Sequence, residues 1–306
     1  MEKAKFIKAY LNAKPFPVAD ITEARKLETA RSSRSAKVAF PGNIDNVIVD
    51  NAQGETKARI YTPAGNGPFP VILYMHGGGF SIGSPETSDN LCRIIANTAN
   101  AVLISVDYAL APEHKFPYAL EECYRVALWI ERNDVALNVR ADQLIIAGDS
   151  AGGNLAAGVC LLARERADFS PIYQVLICPL LDLRTDHALK IKELKDGLFT
   201  ADNSHRFIHY YLHDPDETGN PLVSPLLAES LTNLPPATII SAELDPLAAE
   251  AIDYGNRLRD AGIAVTHRHY AGQVHDFILF VKSLEEATEA AEEIGYDLLR
   301  VVTNSH

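Results

Sequence analysis

Ser150 stands in Gly148-Asp149-Ser150-Ala151-Gly152, between an apolar stretch at 143–147 and a helix-prone stretch at 153–166. A strand, a sharp turn and a helix, with G-x-S-x-G at the turn, lift a serine Oγ clear of a sheet, where a base and a substrate can reach it. The flanking glycines leave room for a turn too tight for Cβ atoms, and the serine itself is expected at strained φ/ψ. A serine hydroxyl is a weak nucleophile. It needs a base, a carboxylate to orient that base, and donors for the oxyanion formed on attack. For a nucleophile on such a turn the partners follow in the order acid, then histidine. Asp245, in Ser241-Ala242-Glu243-Leu244-Asp245-Pro246, ends the seventh expected strand; His275, in Gly272-Gln273-Val274-His275-Asp276-Phe277, lies just beyond the eighth.

The donors are expected from His76-Gly77-Gly78-Gly79-Phe80, directly after the third strand. Consecutive glycines let backbone N–H groups approach a substrate oxygen closely, and those of Gly77 and Gly78, with Ala151, are expected to hold the oxyanion. His76 is expected to brace this loop. Among the rivals, His267 and His269 alternate along one strand, share a face and read as structural. Glu243 reads as a structural carboxylate. Asp276 adjoins His275 but is expected to point elsewhere. His205, His209 and His213 read as solvated or core-satisfied.

These residues need a scaffold. Strands are expected at about 46–50 and 56–61 around a turn, the second alternating as a half-buried antiparallel strand does. Continuous apolar strands follow at about 70–75, 101–106, 143–147, 171–177, 237–241 and 263–269, separated by helices at about 86–99, 117–132, 153–166 and 246–261; a last helix spans about 283–302. That alternation predicts an α/β chain with a mostly parallel eight-stranded sheet, helices on both faces and the serine turn after the fifth strand. Residues 1 to about 42 are helical in character, clearest from Asp20 to Leu27, with Asp20 or Thr22 as cap; Arg31 to Ser35 breaks the pattern. Between about 183 and 233 no strand is expected, and 188–194 and 204–212 read as amphipathic helices. An insertion there, at about 183–220, is expected to lie above the strand ends as a cap, joined by the N-terminal helices. The division is therefore 1–42, cap helices, and 43–306, a catalytic domain carrying the insertion.

Composition narrows the partners. The chain has 306 residues, 47% hydrophobic and 22% charged, which suits one large globular domain. Lys+Arg 28 against Asp+Glu 40 gives −12, a balance that disfavours nucleic acid and anionic membranes. No apolar run reaches the length of a membrane span, and the opening residues lack the apolar core of a signal peptide. Cys92, Cys123, Cys160 and Cys178 show no metal spacing and read as buried free thiols, so a cytoplasmic location and no metal are expected.

With these residues located, the chain resembles the hormone-sensitive-lipase-like branch of the α/β-hydrolase esterases, which includes bacterial carboxylesterases and arylacetamide deacetylases. The matching runs are His76-Gly77-Gly78-Gly79-Phe80, Gly148-Asp149-Ser150-Ala151-Gly152-Gly153-Asn154, Asp107-Tyr108-Ala109-Leu110-Ala111-Pro112-Glu113-His114 with Phe116-Pro117, Ala242-Glu243-Leu244-Asp245-Pro246-Leu247, Ser224-Pro225-Leu226-Leu227 and Leu234-Pro235-Pro236. The resemblance covers about residue 45 to the end. It implies the α/β-hydrolase fold with a helical cap and a serine carboxylesterase acting on short- to medium-chain acyl esters, without metal or cofactor. It carries the triad to Ser150, Asp245 and His275 and the oxyanion donors to Gly77, Gly78 and Ala151. It also implies that dimers pair through the edge strand, here about 263–270. Three positions depart from the family: Asp276 where glycine is common, Ala249 where an acid is usual (Glu250 follows), and Ala109 where arginine is frequent. Two other readings stay open: hydrolysis of an amide-type bond by the same triad, and a non-catalytic small-ligand receptor on the same fold, although such receptors lose the histidine that is present here as His275.

Overall fold

In a computed structural model, residues 2–33, 36–51, 54–184 and 201–304 are described. Eight strands form one sheet: β1 (Asn43–Asn51), β2 (Gly54–Thr62), β3 (Phe69–Met75), β4 (Val102–Asp107), β5 (Val139–Asp149), β6 (Tyr173–Ile177), β7 (Ala237–Leu244) and β8 (Val265–Val274). Their order is β1-β2-β4-β3-β5-β6-β7-β8. β1 and β2 pair antiparallel, as do β2 and β4; every later pairing is parallel. The expected fold class is present. The strands run longer than their apolar cores, because the sheet ladder continues through polar residues once neighbours are in place.

The strands' alternation sorts side chains between two faces. Val71, Leu73 and Met75 of β3 pack with α4 (Tyr118–Arg132), α6 (Ala151–Arg166) and α8 (Ala248–Asp260). Ile72 and Tyr74 of the same strand pack with α3 (Asp89–Ala99) and α9 (Glu285–Asn304). Both faces are covered, which is why these strands read as unbroken apolar runs. A short helical turn, α5 (Asp134–Leu137), leads into β5. The expected edge strand is β8, at the end of the sheet.

Ahead of the sheet lie α1 (Lys3–Leu11) and α2 (Ile21–Ser33). Asp20 caps α2, its carboxylate accepting from Glu23 N at 3.1 Å. The expected break at Arg31 is displaced: α2 continues to Ser33 because Ser32 Oγ donates to buried Glu28 at 2.8 Å and Arg31 pairs with the same carboxylate at 3.1 Å. In the insertion, α7 (Ala201–Tyr211) is the second of the two expected helices. The first, at 188–194, lies outside the described residues.

Candidate active site

β5 ends at Asp149 and α6 begins at Ala151, so Ser150 alone makes the turn. Its φ of 53° and ψ of −117° are strained for a serine, at a cost on the order of 1–3 kcal/mol. The turn holds because Gly152 packs against β3: a Cβ there would collide with the Met75 carbonyl. Ser150 N donates to Ile177 O at 2.8 Å, and Leu180 N to Ser150 O at 3.1 Å, tying the turn to β6.

The loops after β7 and β8 bring the other two expected residues to this serine. His275 Nε2 lies 2.9 Å from Ser150 Oγ, and His275 Nδ1 lies 3.0 Å from Asp245 Oδ2. Asp245 Oδ1 accepts from Leu247 N at 2.8 Å, which fixes the carboxylate. All three residues are buried. With Nδ1–H donated to Asp245, Nε2 is left as the acceptor that a serine proton needs. Cys178 lies behind this chain, its thiol within 4.8 Å of the Asp245 and His275 ligand-type atoms. Burial and the neighbouring Asp245 and Asp276 carboxylates push that thiol up, so it stays protonated and is a poor ligand for a cation.

The glycine loop differs from expectation at one residue. Gly77 N–H donates to Asp149 Oδ2 at 2.9 Å, so it is not free to hold a substrate oxygen. Gly78 and Gly79, at φ 118° and 59°, are the residues whose N–H groups have no acceptor among the described residues. Ala151, first in α6, has no intrahelical acceptor. Asp149 thereby acquires a role the sequence did not reveal. It is fully buried, accepts from Tyr74 Oη at 2.6 Å and Ser88 Oγ at 3.3 Å as well as from Gly77, and so joins the serine turn to the glycine loop. Burial raises its carboxyl above the usual range, and these hydrogen bonds oppose that rise. The available signal was an acid between Gly148 and Ser150 at the end of an otherwise apolar strand.

His76 braces the loop as expected. Its Nδ1 lies 2.8 Å from Gly77 O, and its ring stacks on Tyr108 at 4.3 Å. Tyr108 Oη donates to His76 O at 2.7 Å, which gives the Asp107-Tyr108 run its purpose. Burial lowers the His76 pKa to about 4, because Nε2 is enclosed without a hydrogen-bond partner among the described residues. Asn154, in the run after the serine, was also missed. Its Nδ2 donates to Leu180 O at 2.8 Å and Val223 O at 2.7 Å, holding the start and return of the insertion. Glu250, one place after the family's usual acid, accepts from Asp182 N at 2.8 Å in the same region.

The rivals fall where the sequence put them, with one exception. His267 and His269 share Ser241 Oγ at 2.8 and 2.9 Å. Exposed Glu243 accepts from Gly272 N at 2.5 Å, and His205, His209 and His213 are exposed. Asp276 was expected to point away. Instead its φ of 52° turns the side chain back, and Oδ2 lies 3.2 Å from His275 Nε2.

A narrow cleft with a free volume of ≈ 100 Å³ leads to Ser150 and His275. Tyr10, Phe16, Phe207 and Phe280 supply aromatic walls. The N-terminal segment and α7 are joined there: Asn203 Nδ2 donates to Phe16 O and Tyr210 Oη to Val18 O, both at 3.0 Å. Tyr10 Oη donates to His275 O at 3.1 Å. Arg25 of α2 donates to Ser81 O and Ala111 O, each at 2.8 Å, and pairs with Glu113 at 2.7 Å. No helix among the described residues is long and apolar enough to cross a membrane.

Comparison with known proteins agrees with this geometry. Residues 72–279, more than half of the chain, match the family described as alpha/beta hydrolase fold. The carboxylic ester hydrolase LipN of Mycobacterium tuberculosis is 37% identical over 257 residues, covering 78% of this chain and 67% of its own. An arylesterase of Saccharolobus solfataricus is 37% identical over 227 residues, 73% of each chain. Among solved structures, the hyperthermophilic esterase of Pyrobaculum calidifontis superposes with a TM-score of 0.89 at 34% identity, covering 97% of both chains. The chain belongs to the hormone-sensitive-lipase-like carboxylesterases of the α/β-hydrolase superfamily.

Proposed function

We propose that the protein is a serine carboxylesterase in which Ser150 is the nucleophile, His275 the general base and acid, and Asp245 the orienting carboxylate. The observation that carries this reading is the continuous hydrogen-bonded chain Ser150–His275–Asp245, 2.9 and 3.0 Å per link, at the strained end of β5. His275 takes the Ser150 proton as Oγ attacks the ester carbonyl, and the alkoxide oxygen that develops is held by the N–H groups of Gly78, Gly79 and Ala151. The N-terminus of α6 points its positive end toward the same oxygen. His275 then protonates the leaving alcohol, and water releases the acid by the reverse sequence. The segments 2–33 and α7 act as a cap over the cleft. Its aromatic walls and modest size, with relatives named arylesterase and ethyl acetate hydrolase, support small and medium acyl esters as substrates.

A p-nitrophenyl ester series from acetate to decanoate tests the reading. Turnover is expected to peak at short or medium chains and to fall at least about 10⁴-fold in Ser150→Ala. Wild-type-like turnover in that variant would remove Ser150 from the mechanism.

A further inference from the structure

The Asp276 carboxyl is in an unusual place. Oδ2 lies 3.2 Å from His275 Nε2, the same nitrogen that meets Ser150 Oγ at 2.9 Å. Oδ1 is buried and has no hydrogen-bond partner among the described residues. Burial raises this carboxyl well above the usual carboxylate range, with His275 opposing and Asp149 and Asp245 adding to the rise. In either protonation state a carboxyl keeps an oxygen that can accept a hydrogen bond. A buried polar group with spare capacity is costly unless a donor arrives.

In acyl transfer, the arrival point of one donor is set by the chemistry. The leaving heteroatom must come within hydrogen-bond reach of Nε2 to receive its proton. It therefore sits beside the Asp276 carboxyl. An ester's leaving oxygen carries only lone pairs there, and it gains nothing from an acceptor. The leaving nitrogen of a secondary amide keeps an N–H, which needs an acceptor as the nitrogen turns its lone pair toward His275. The same carboxyl thus favours one bond and leaves the other unaided.

We propose that Asp276 accepts the N–H of a leaving amine, and that the enzyme cleaves secondary amides of small acyl groups in addition to esters. This rests on the serine acyl-transfer reading above. Ser150 Oγ bonds to the amide carbon while its proton passes to His275 Nε2, and the carbonyl π pair becomes the oxyanion. Collapse breaks the C–N bond, whose electron pair stays on nitrogen and takes the proton from Nε2. The amine departs with its original N–H, which Asp276 releases unchanged. Water then adds to the acyl-enzyme, giving the carboxylic acid and free Ser150.

The test compares p-nitrophenyl butyrate with butyryl p-nitroanilide on wild type, Ser150→Ala, Asp276→Gly and Asp276→Asn. Glycine and asparagine are the residues best tolerated at the left-handed φ of position 276, so both variants keep the loop. Wild type is expected to cleave the anilide above the Ser150→Ala level. The amide-to-ester ratio of kcat/KM is expected to fall at least about tenfold in Asp276→Gly. It recovers in part in Asp276→Asn, whose carboxamide oxygen still accepts. An enzyme that cleaves the ester but shows no Ser150-dependent anilide turnover overturns this inference and leaves the esterase reading standing. Equal losses on both substrates in Asp276→Gly also overturn it, since a merely structural role would act that way. Failure on both substrates by the wild type removes the esterase reading and this inference together.

Discussion

Single atoms decide which N–H groups are left for the proposed oxyanion site. Gly77, Gly78 and Gly79 are alike in the sequence, yet among the described residues only one N–H of the three is committed, to Asp149 Oδ2 at 2.9 Å. Which donors remain depends on how Asp149 is held, and that requires Tyr74 and Ser88 from two other elements. Gly78 is the sharpest test. Its φ of 118° is closed to side chains, and a Cβ would land on the Ile82 carbonyl. Gly78→Ala is expected to lower kcat at least about 10²-fold, the usual consequence of losing one preorganised donor, about 2.7–4 kcal/mol. Steady-state kinetics on a variant whose melting curve shows it folded checks this, and near-normal kcat would place the oxyanion elsewhere. Asp276 teaches the same lesson. Its identity was noted as a departure, but its direction depends on a left-handed φ at the residue after the histidine.

Elements carry the site's outer wall. The sequence marked the first forty residues as helical and expected them beside the insertion, without indicating which residues hold them there. Arg25 supplies the attachment, reaching from α2 to the carbonyls of Ser81, just after the glycine loop, and Ala111, whose N–H donates to Phe80 O, and to Glu113. The exposed ion pair with Glu113 contributes little, whereas the two half-buried carbonyls would be left without their donor if Arg25 were removed. Arg25→Ala is therefore expected to raise KM severalfold with a smaller change in kcat, and to speed amide exchange in 21–33 relative to β5. Hydrogen-exchange mass spectrometry alongside kinetics measures both, and unchanged exchange in α2 would mean the segment is held by its apolar contacts with Ile82 and Phe207 instead. The helix α7, which lines the cleft from the other side, follows the expected helix closely, since its period of apolar residues is strong and local.

At the scale of the whole molecule, buried ionisable groups link stability to pH. His76 has a folded-state pKa near 4, below its ordinary 6.5. The folded protein thus binds fewer protons than the unfolded chain between these values. His76's contribution is intact above pH 6.5 and is lost as pH falls toward 4, by about 2–3 kcal/mol at pH 4.5. Asp149 acts with the opposite sign: its raised pKa makes the folded state bind more protons, which opposes the loss on acidification. The wild-type slope is the difference of the two, so the informative quantity is a comparison. His76→Gln, which keeps a donor for Gly77 O, is expected to lose about 2–3 kcal/mol less than wild type between pH 7.5 and 4.5 in urea denaturation. Parallel curves would show that His76 is not held neutral.

What the sequence determined by itself is local or topologically forced. Apolar runs of strand length between helical periods require a sheet covered on both faces, and G-x-S-x-G at a strand end specifies the serine turn. With that turn in place, the order of acid and histidine along the chain follows, and His275 lies between Ser150 and Asp245, within hydrogen-bond reach of each. Tertiary structure decided everything that depends on pairing across long separations. The crossing of β3 and β4, the commitment of Gly77 to a carboxylate 72 residues away and the hold of Tyr10 on a carbonyl 265 residues away are of this kind. Periodicity reports which face a residue turns to the core, not which neighbour it finds there. A hydrogen bond is set by tenths of an ångström that only the packed chain supplies.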